Sequence, residues 1–169
     1  MINGEEYLRK QYEYLDLDDV QFQPNGLDLT VGKVFAPEHI ENTMYGLYKD
    51  AKLKPELREV KHVSTLVNGG ICKVFCLAPH SVYIVETEEK IKIGDNNVQL
   101  YFPRSTLLRS CIDVRTCVGD AGFNGHLSFL VENKSDAPFY LEKGVRFAQL
   151  LDFQADGVMK KYDGDYQED

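Results

Sequence analysis

The chain has 169 residues, 43% of them hydrophobic and 27% charged, and a formal net charge of −8. That length suits one domain with a sizeable core and is short for two, and the composition is that of a folded chain. The acidic balance argues against non-specific nucleic-acid binding, and no apolar run nears the roughly 20 residues that span a membrane, so neither nucleic acid nor membrane is an expected partner.

The opening MINGEEYLRKQYEY lacks an apolar signal core, and the expected location is cytoplasmic. Asn3 is a candidate helix cap, Glu6 its capping-box partner, and Tyr7, Leu8 and Tyr12 form an apolar stripe, which predicts one short N-terminal helix. A helical turn or loop is expected around Pro37 to Leu47, while Tyr48 to Arg58, interrupted by Pro55, has no clear assignment.

From Lys61 onward the pattern becomes one of short strands. Ser81 to Val85 and Lys90 to Ile93 alternate as two strands, followed by Val98 to Phe102, Cys111 to Val118, His126 to Glu132, Phe139 to Leu141 and Val145 to Phe153. Gly119-Asp120-Ala121-Gly122, Asn133-Lys134-Ser135-Asp136 and Glu142-Lys143-Gly144 supply the turns. Many short strands at this spacing predict an all-β barrel or jelly roll, with helix only near the start. Residues 1–160 are expected to form one domain, and the acidic stretch 161–169 a mobile tail.

The four cysteines suit a reducing compartment, with Cys72 and Cys76 expected to be buried as small apolar residues. His39, His62, His80 and His126 are scattered without metal-ligand spacing, which argues against a histidine-based zinc site.

An anionic small ligand would need a local cluster of Arg and Lys, or a divalent cation, to offset the surrounding acid. Four stretches have residue types that suit triphosphate chemistry. In Gln23-Pro24-Asn25-Gly26-Leu27-Asp28-Leu29 a carboxylate follows a glycine turn into a strand. Pro103-Arg104-Ser105-Thr106-Leu107-Leu108-Arg109 brings two guanidinium groups and two hydroxyls together, both good phosphate donors. Gly119-Asp120-Ala121-Gly122-Phe123-Asn124-Gly125 holds an acid and an aromatic in a glycine-rich turn. Lys143-Gly144-Val145-Arg146-Phe147-Ala148-Gln149-Leu150 is a turn leading into a strand with Arg and Gln. Singly, the Arg-Ser-Thr stretch reads first as a solvated loop and the Gly-Asp-Ala-Gly stretch as a turn, while Asp28 fits a strand-end cap and Arg146 a core ion pair.

In this order the four stretches resemble the motifs of the deoxyuridine triphosphatase and deoxycytidine triphosphate deaminase superfamily, closest to the archaeal-type diphosphatases. PRSTLLRS, GDAGFNGHLSFLVEN and KGVRFAQ carry most of the resemblance, and APHSVYIVETEEKIKI adds a weaker match. Nothing functional is carried over from Ala36 to Val63.

The resemblance implies a distorted β jelly roll of the dUTPase-like β-clip type, a homotrimer with active sites between subunits, and a Mg²⁺-bound deoxynucleoside triphosphate substrate. It implies Arg104 and Ser105 on the phosphates, with Thr106 supporting and Arg109 beside them. Asp120 would orient and deprotonate the attacking water. Phe123 would pack on the deoxyribose, Gln149 would lie on the nucleotide, and Arg146 would be structural. Asp28 would serve the metal through water, and Lys161, Tyr162 and Gln167 of the tail would close over the nucleotide. Physical chemistry is consistent with these roles: attack at phosphorus needs a base within reach of water, and fixed cations stabilise the developing charge. A flat Phe123 ring leaves little room for a 2′-hydroxyl.

The branch is read on one strand. Deaminase members carry a Glu three residues before an Asn, where this chain has Leu130 before Asn133, with Glu132 two residues further on. They also carry a polar or basic residue just before the acid-bearing turn, where this chain has Val118. Leucine moves no protons, so hydrolysis of dUTP to dUMP and pyrophosphate is the expected activity. A dCTP deaminase and a non-catalytic nucleotide-binding regulatory trimer remain as alternatives.

Overall fold

The computed structural model describes residues 2–38, 45–157 and 160–167. Helix α1 (Glu5–Gln11) is followed by a single 3-10 turn (Asp19–Gln21), then β1 (Phe22–Gln23) and the long β2 (Gly26–Glu38). A small hairpin, β3 (Gly46–Tyr48) and β4 (Ala51–Leu53), precedes β5 (Glu56–Glu59), β6 (Val63–Val67) and β7 (Gly70–Leu77). Then come β8 (Ser81–Lys92), β9 (Asn97–Pro103), the short α2 (Ser105–Arg109), β10 (Ile112–Arg115), β11 (Asn124–Asn133), β12 (Phe139–Glu142) and β13 (Arg146–Gln154).

The chain is all-β apart from these helices. The main sheet runs β10-β11-β8-β2-β13-β9, with β1 and β5 also paired to β2. A second sheet, β12-β7-β6, completes the distorted jelly roll. Antiparallel pairing lets each strand send alternate side chains inward. On β11, Leu127, Phe129 and Val131 point into the core; on β8, Tyr83, Val85 and Ile91 do. Phe129 lies between Tyr101 and Phe147, with ring centroids 5.3 and 5.6 Å away.

Four sequence expectations change. The helix begins after Gly4, and Asn3 makes no cap: its side-chain amide donates to Asp152 Oδ1 at 2.7 Å. A charged acceptor in the interior outcompetes an exposed backbone amide for that donor. Pro37 and Glu38 end β2, and Gly46–Leu47 open β3; the part of the expected turn at 39–44 lies outside the described residues.

Ser81 to Ile93 is mostly one strand, not two. At the apparent break, Thr87 and Glu89 face inward with partners. Thr87 Oγ1 donates to Glu89 O and accepts from Leu127 N, while the Glu89 carboxylate accepts from Thr30 N, Thr30 Oγ1 and Gln21 Nε2. The registers of β2 and β11 shift at this point, and Gly32 is needed because a Cβ there would stand 2.7 Å from Thr87 O.

Cys72 is half-buried and Cys76 is exposed, contrary to the expected burial; Cys111 and Cys117 are exposed too, and all four are free. β7 is the central strand of the second sheet, and Cys76 alternates onto its solvent-facing side between buried Phe75 and Leu77.

At the other end of the fold the Asp152 carboxylate is fully buried, with no cation beside it among the described residues. Asn3 Nδ2 and Asn97 Nδ2 (2.5 Å) donate to its Oδ1, and Gln99 Nε2 (2.9 Å) and Tyr12 OH (3.4 Å) to its Oδ2. Gln99 Nε2 also donates to Tyr12 OH, and Tyr101 OH donates to Gln99 Oε1 at 2.8 Å. Burial and the adjacent carboxylate hold the Tyr12 and Tyr101 hydroxyls protonated, well above the ordinary tyrosine range.

The network ties α1, β9 and β13 together. Asp152→Ala strands the Asn97 and Gln99 amides in a dry interior and is expected to cost about 1–3 kcal/mol for each donor left unsatisfied. Tyr12→Phe removes two bonds, the long one to Asp152 and the one from Gln99, but keeps the ring and leaves Gln99 its bond to Asp152, and is expected to cost less, about 1–2 kcal/mol. Chemical denaturation of the two variants checks the ranking, and equal losses would mean the carboxylate is not the hub.

Candidate active site

The residues singled out in sequence gather at two poles of one sheet. At the first, β2, β13 and β9 lie side by side, with Gln149 registered opposite Asp28 on one side and Phe102 on the other. Paired residues project from the same face, so Asp28 and Gln149 share it. Asp28 is buried, and its Oδ2 lies 3.2 Å from Arg146 Nη1 and 3.5 Å from Arg104 Nε. Burial pushes the Asp28 carboxyl above its ordinary range, and the two guanidinium groups pull against that. Arg146 is held further by donating to Val20 O.

Arg104 is extended, its backbone N–H bonded to Phe147 O, and it begins α2. Ser105, Thr106 and Arg109 lie on that helix turn, exposed to solvent, while Leu107 anchors it in the core. The result is a rigid cationic edge bordered by hydroxyls.

The second pole is the turn carrying Asp120. Gly119 exchanges both backbone hydrogen bonds with Gln99, at 2.9 and 3.0 Å, so the side-chain network around Asp152 sits directly beneath the acid. A Cβ on Gly119 would collide with the Tyr101 hydroxyl, so glycine is required there. Gly122 closes the turn at φ +82°, a conformation that favours glycine.

Asp120 is exposed on the wall shared by two recesses of about 1130 and 360 Å³. The larger is of the order found for small-molecule sites, roughly 300–1,000 Å³. Phe123, Tyr101 and His126 line it, and so does Val118 beside the acid. Phe123 is mostly buried and meets Tyr162 edge-on at 5.3 Å.

Described tail residues lie against this turn. Tyr162 N–H donates to Ala121 O at 2.8 Å. The Gln167 side-chain amide clasps the chain by accepting from Asn124 N (3.2 Å) and donating to Gly122 O (3.3 Å). Lys161 pairs with Asp95 at 2.6 Å. The tail residues named from sequence therefore meet Asp120's turn, while Arg104, Ser105, Thr106, Arg109, Asp28 and Gln149 do not. Gln99 and Arg104 are five residues apart on one extended strand, which separates the two poles by roughly 16 Å.

Sequence reasoning missed Lys54, Leu57 and Tyr166, which line the larger recess with Asp120. Lys54 and Leu57 lie in the stretch given no role, and their only signal was Lys52-Leu53-Lys54, two cations two residues apart in an extended segment. On β11, Leu130 stands opposite Ile84, and Glu132 opposite Val82. The Glu132 carboxylate is held by Arg115 (3.2 Å) and Lys134 (4.0 Å).

Comparison with known proteins agrees with this architecture. Residues 5–155 match the family described as dCTP deaminase-like. The chain is 38% identical over 166 residues to a probable deoxyuridine 5′-triphosphate nucleotidohydrolase of Methanopyrus kandleri, covering 98% of this chain and 99% of that one. It is 34% identical over 168 residues to a protein of the same name from Methanothermobacter thermautotrophicus, covering 99% and 100%. A dCTP deaminase of Pyrobaculum islandicum is 34% identical over 144 residues, 85% of this chain and 75% of that one.

Among solved structures, dCTP deaminase from Agrobacterium tumefaciens shares the fold with a TM-score of 0.65 at 20% identity. That match takes in 89% of this chain and 47% of that one, so this chain spans about half its length. With its strand order, its acid-bearing turn and these relatives in agreement, the chain belongs to the dCTP deaminase-like family, within the deoxyuridine triphosphatase and deoxycytidine triphosphate deaminase superfamily.

Proposed function

We propose that the chain is a dUTP diphosphatase, hydrolysing dUTP to dUMP and pyrophosphate. The observation that carries hydrolysis over deamination is the outward face of β11. Leu130 pairs there with Ile84 and offers no proton donor, and the carboxylate of Glu132 is engaged by Arg115 and Lys134. Asp120, in contrast, is an exposed acid on a braced turn at the wall of a large recess. The two relatives named as probable deoxyuridine 5′-triphosphate nucleotidohydrolases match nearly end to end, which supports the same reading.

In this mechanism Asp120 accepts a hydrogen bond from a water and takes its proton as the oxygen attacks the α-phosphorus. The bond from that phosphorus to the bridging oxygen breaks, and pyrophosphate leaves. Phe123 packs on the deoxyribose, and backbone groups of the turn from Arg115 to Gly119 read the base. Arg104, Ser105, Thr106 and Arg109 bind the phosphate oxygens, and Gln149 contacts the nucleotide from the same pole.

With the poles roughly 16 Å apart along β9, one chain cannot put both on one phosphorus. A homotrimer, with the arginine pole of one copy facing the acid pole of another, satisfies both. The structure's acids suit Mg²⁺ carried on the triphosphate. Asp28 is occupied by two guanidinium groups and can serve a metal only through water, and no three His, Cys, Asp or Glu gather as a cage among the described residues. Mg²⁺ characteristically keeps its waters and binds substrate phosphates, where it neutralises charge.

Three measurements test this reading. Asp120→Asn keeps the shape of the turn but cannot take a proton, so turnover of dUTP with Mg²⁺ should fall by about two to four orders of magnitude while dUTP still binds. Near-normal turnover would show that the carboxylate only caps its turn. Sedimentation should give a homotrimer; a fully active monomer would refute sites shared between copies.

Incubation with dCTP should release no ammonia from the parent or from Glu132→Gln. Ammonia from the parent that disappears in Glu132→Gln would make the protein a deaminase acting through Glu132.

A further inference from the structure

The tail has little apolar surface to bury. Tyr162 is half-buried, and residues 163–167 are exposed. It turns tightly around the Tyr162 hydroxyl, which receives the Tyr166 N–H at 3.4 Å and leaves no room for a Cβ on Gly164. What holds it across the recess is a set of point contacts at two ends. One end is the Asp120 turn, reached by Tyr162 and Gln167. The other is formed by the segment just after the β3–β4 hairpin turn.

Lys52 on β4 pairs with Asp165 at 2.9 Å. Lys54 donates to the Tyr166 hydroxyl at 2.7 Å, with its ammonium 4.8 Å from the ring centroid. The hairpin supplies a firm base for both lysines. β3 and β4 pair over Gly46–Tyr48 and Ala51–Leu53, and β5 immediately afterwards is stitched to the end of β2. Lys54 also lines the same recess as Asp120, so the contact spans the opening instead of lying off to one side.

We infer that Lys52 and Lys54 are positioning residues that latch the C-terminal segment over the Asp120 recess through Asp165 and Tyr166. Each contact is individually weak. The ion pair is about two-thirds exposed on both sides and screened by salt, and an exposed cation–ring contact is modest, so the latch opens and closes readily. A segment held this way can admit a nucleotide, shut behind it, and release the product. The inference rests on the proposed hydrolysis for its consequence, but not for the latch itself.

Trypsin tests the latch without nucleotide. Cleavage after Lys161 releases residues 162–169, and intact mass reports it independently of cuts elsewhere. Lys52→Ala/Lys54→Ala should shed that peptide about threefold to thirtyfold faster than the parent at low salt, the span expected for losing both contacts. Added salt should speed cleavage of the parent more than that of the double variant, which keeps the Lys161–Asp95 pair but has lost Lys52–Asp165. Tyr166→Leu should give part of the same acceleration, and adding Lys54→Ala to it should add little, because the two side chains form one contact.

With dUTP and Mg²⁺, Lys54→Ala should raise KM, and Lys54→Arg, which keeps both the charge and the donor, should restore it. Cleavage rates for the double variant within twofold of the parent would overturn the latch whatever the activity. Faster cleavage in a protein that does not hydrolyse dUTP would leave the latch standing and remove the proposed reaction. Faster cleavage with unchanged KM would overturn the link between the latch and substrate retention.

Discussion

One buried carboxylate organises the half of the molecule that matters most. Among the described residues Asp152 has no cation within reach of its oxygens, and neutral donors from Asn3, Tyr12, Asn97 and Gln99 meet it instead. Removing an ionised carboxylate from water costs several kcal/mol. Hydrogen bonds to a charged acceptor, at about 1.5–3 kcal/mol each, offset that only when all are made. The network is therefore close to all-or-none, and it forces the N-terminal segment, β9 and β13 into one mutual arrangement. Asp28, buried on the opposite face of the sheet on β13's neighbour β2, is solved differently, by two guanidinium groups that remain partly open to solvent.

That arrangement has a chemical direction. Gln99 belongs both to the network, through its side chain, and to the acid-bearing turn, through its backbone bonds to Gly119. The turn inherits the rigidity of the core without placing Asp120 in it. The acid stays exposed and able to meet water, while its backbone is held by groups that cannot easily shift. β9 then carries the same strand on to Pro103 and Arg104, so the acid and the arginine are fixed to the two ends of a single stiff element. Neither pole can drift toward the other within the chain, and on the proposed reading a second copy is what brings them together.

The sequence was informative where chemistry and pattern coincided. Alternation located β9, β11 and β13, and the glycine-rich acid turn and the Arg-Ser-Thr helix turn were recognisable from their residue types. It failed where a polar residue looks the same inside and out. Thr87 and Glu89 read as a break because nothing local reveals that Thr30, Gln21 and Leu127, all distant in sequence, supply their partners. Asn3 had the right residue type and spacing for a cap, and the competitor that claimed it lies 149 positions away. Cys76 looked like core because its neighbours are core, but a second sheet with one face left to solvent follows from topology rather than composition. Lys52 and Lys54 were passed over for the same reason, since their partners are at the opposite end of the chain.

The close approach of Gly119 to the Tyr101 hydroxyl has a consequence for how such a chain can diverge. Any side chain at 119 requires the ring at 101 to lose its oxygen or move, and Ile93 to give way as well. Losing that oxygen takes the donor from Gln99 Oε1, whose amide end serves Tyr12 and Asp152. A single mutation at 119 thus strains the turn, and one at 101 alone leaves Gln99 Oε1 without its donor. Descent with modification should hold these two sites together, leaving Gly-with-Tyr as one inherited unit beside the acid while the surface around it drifts freely.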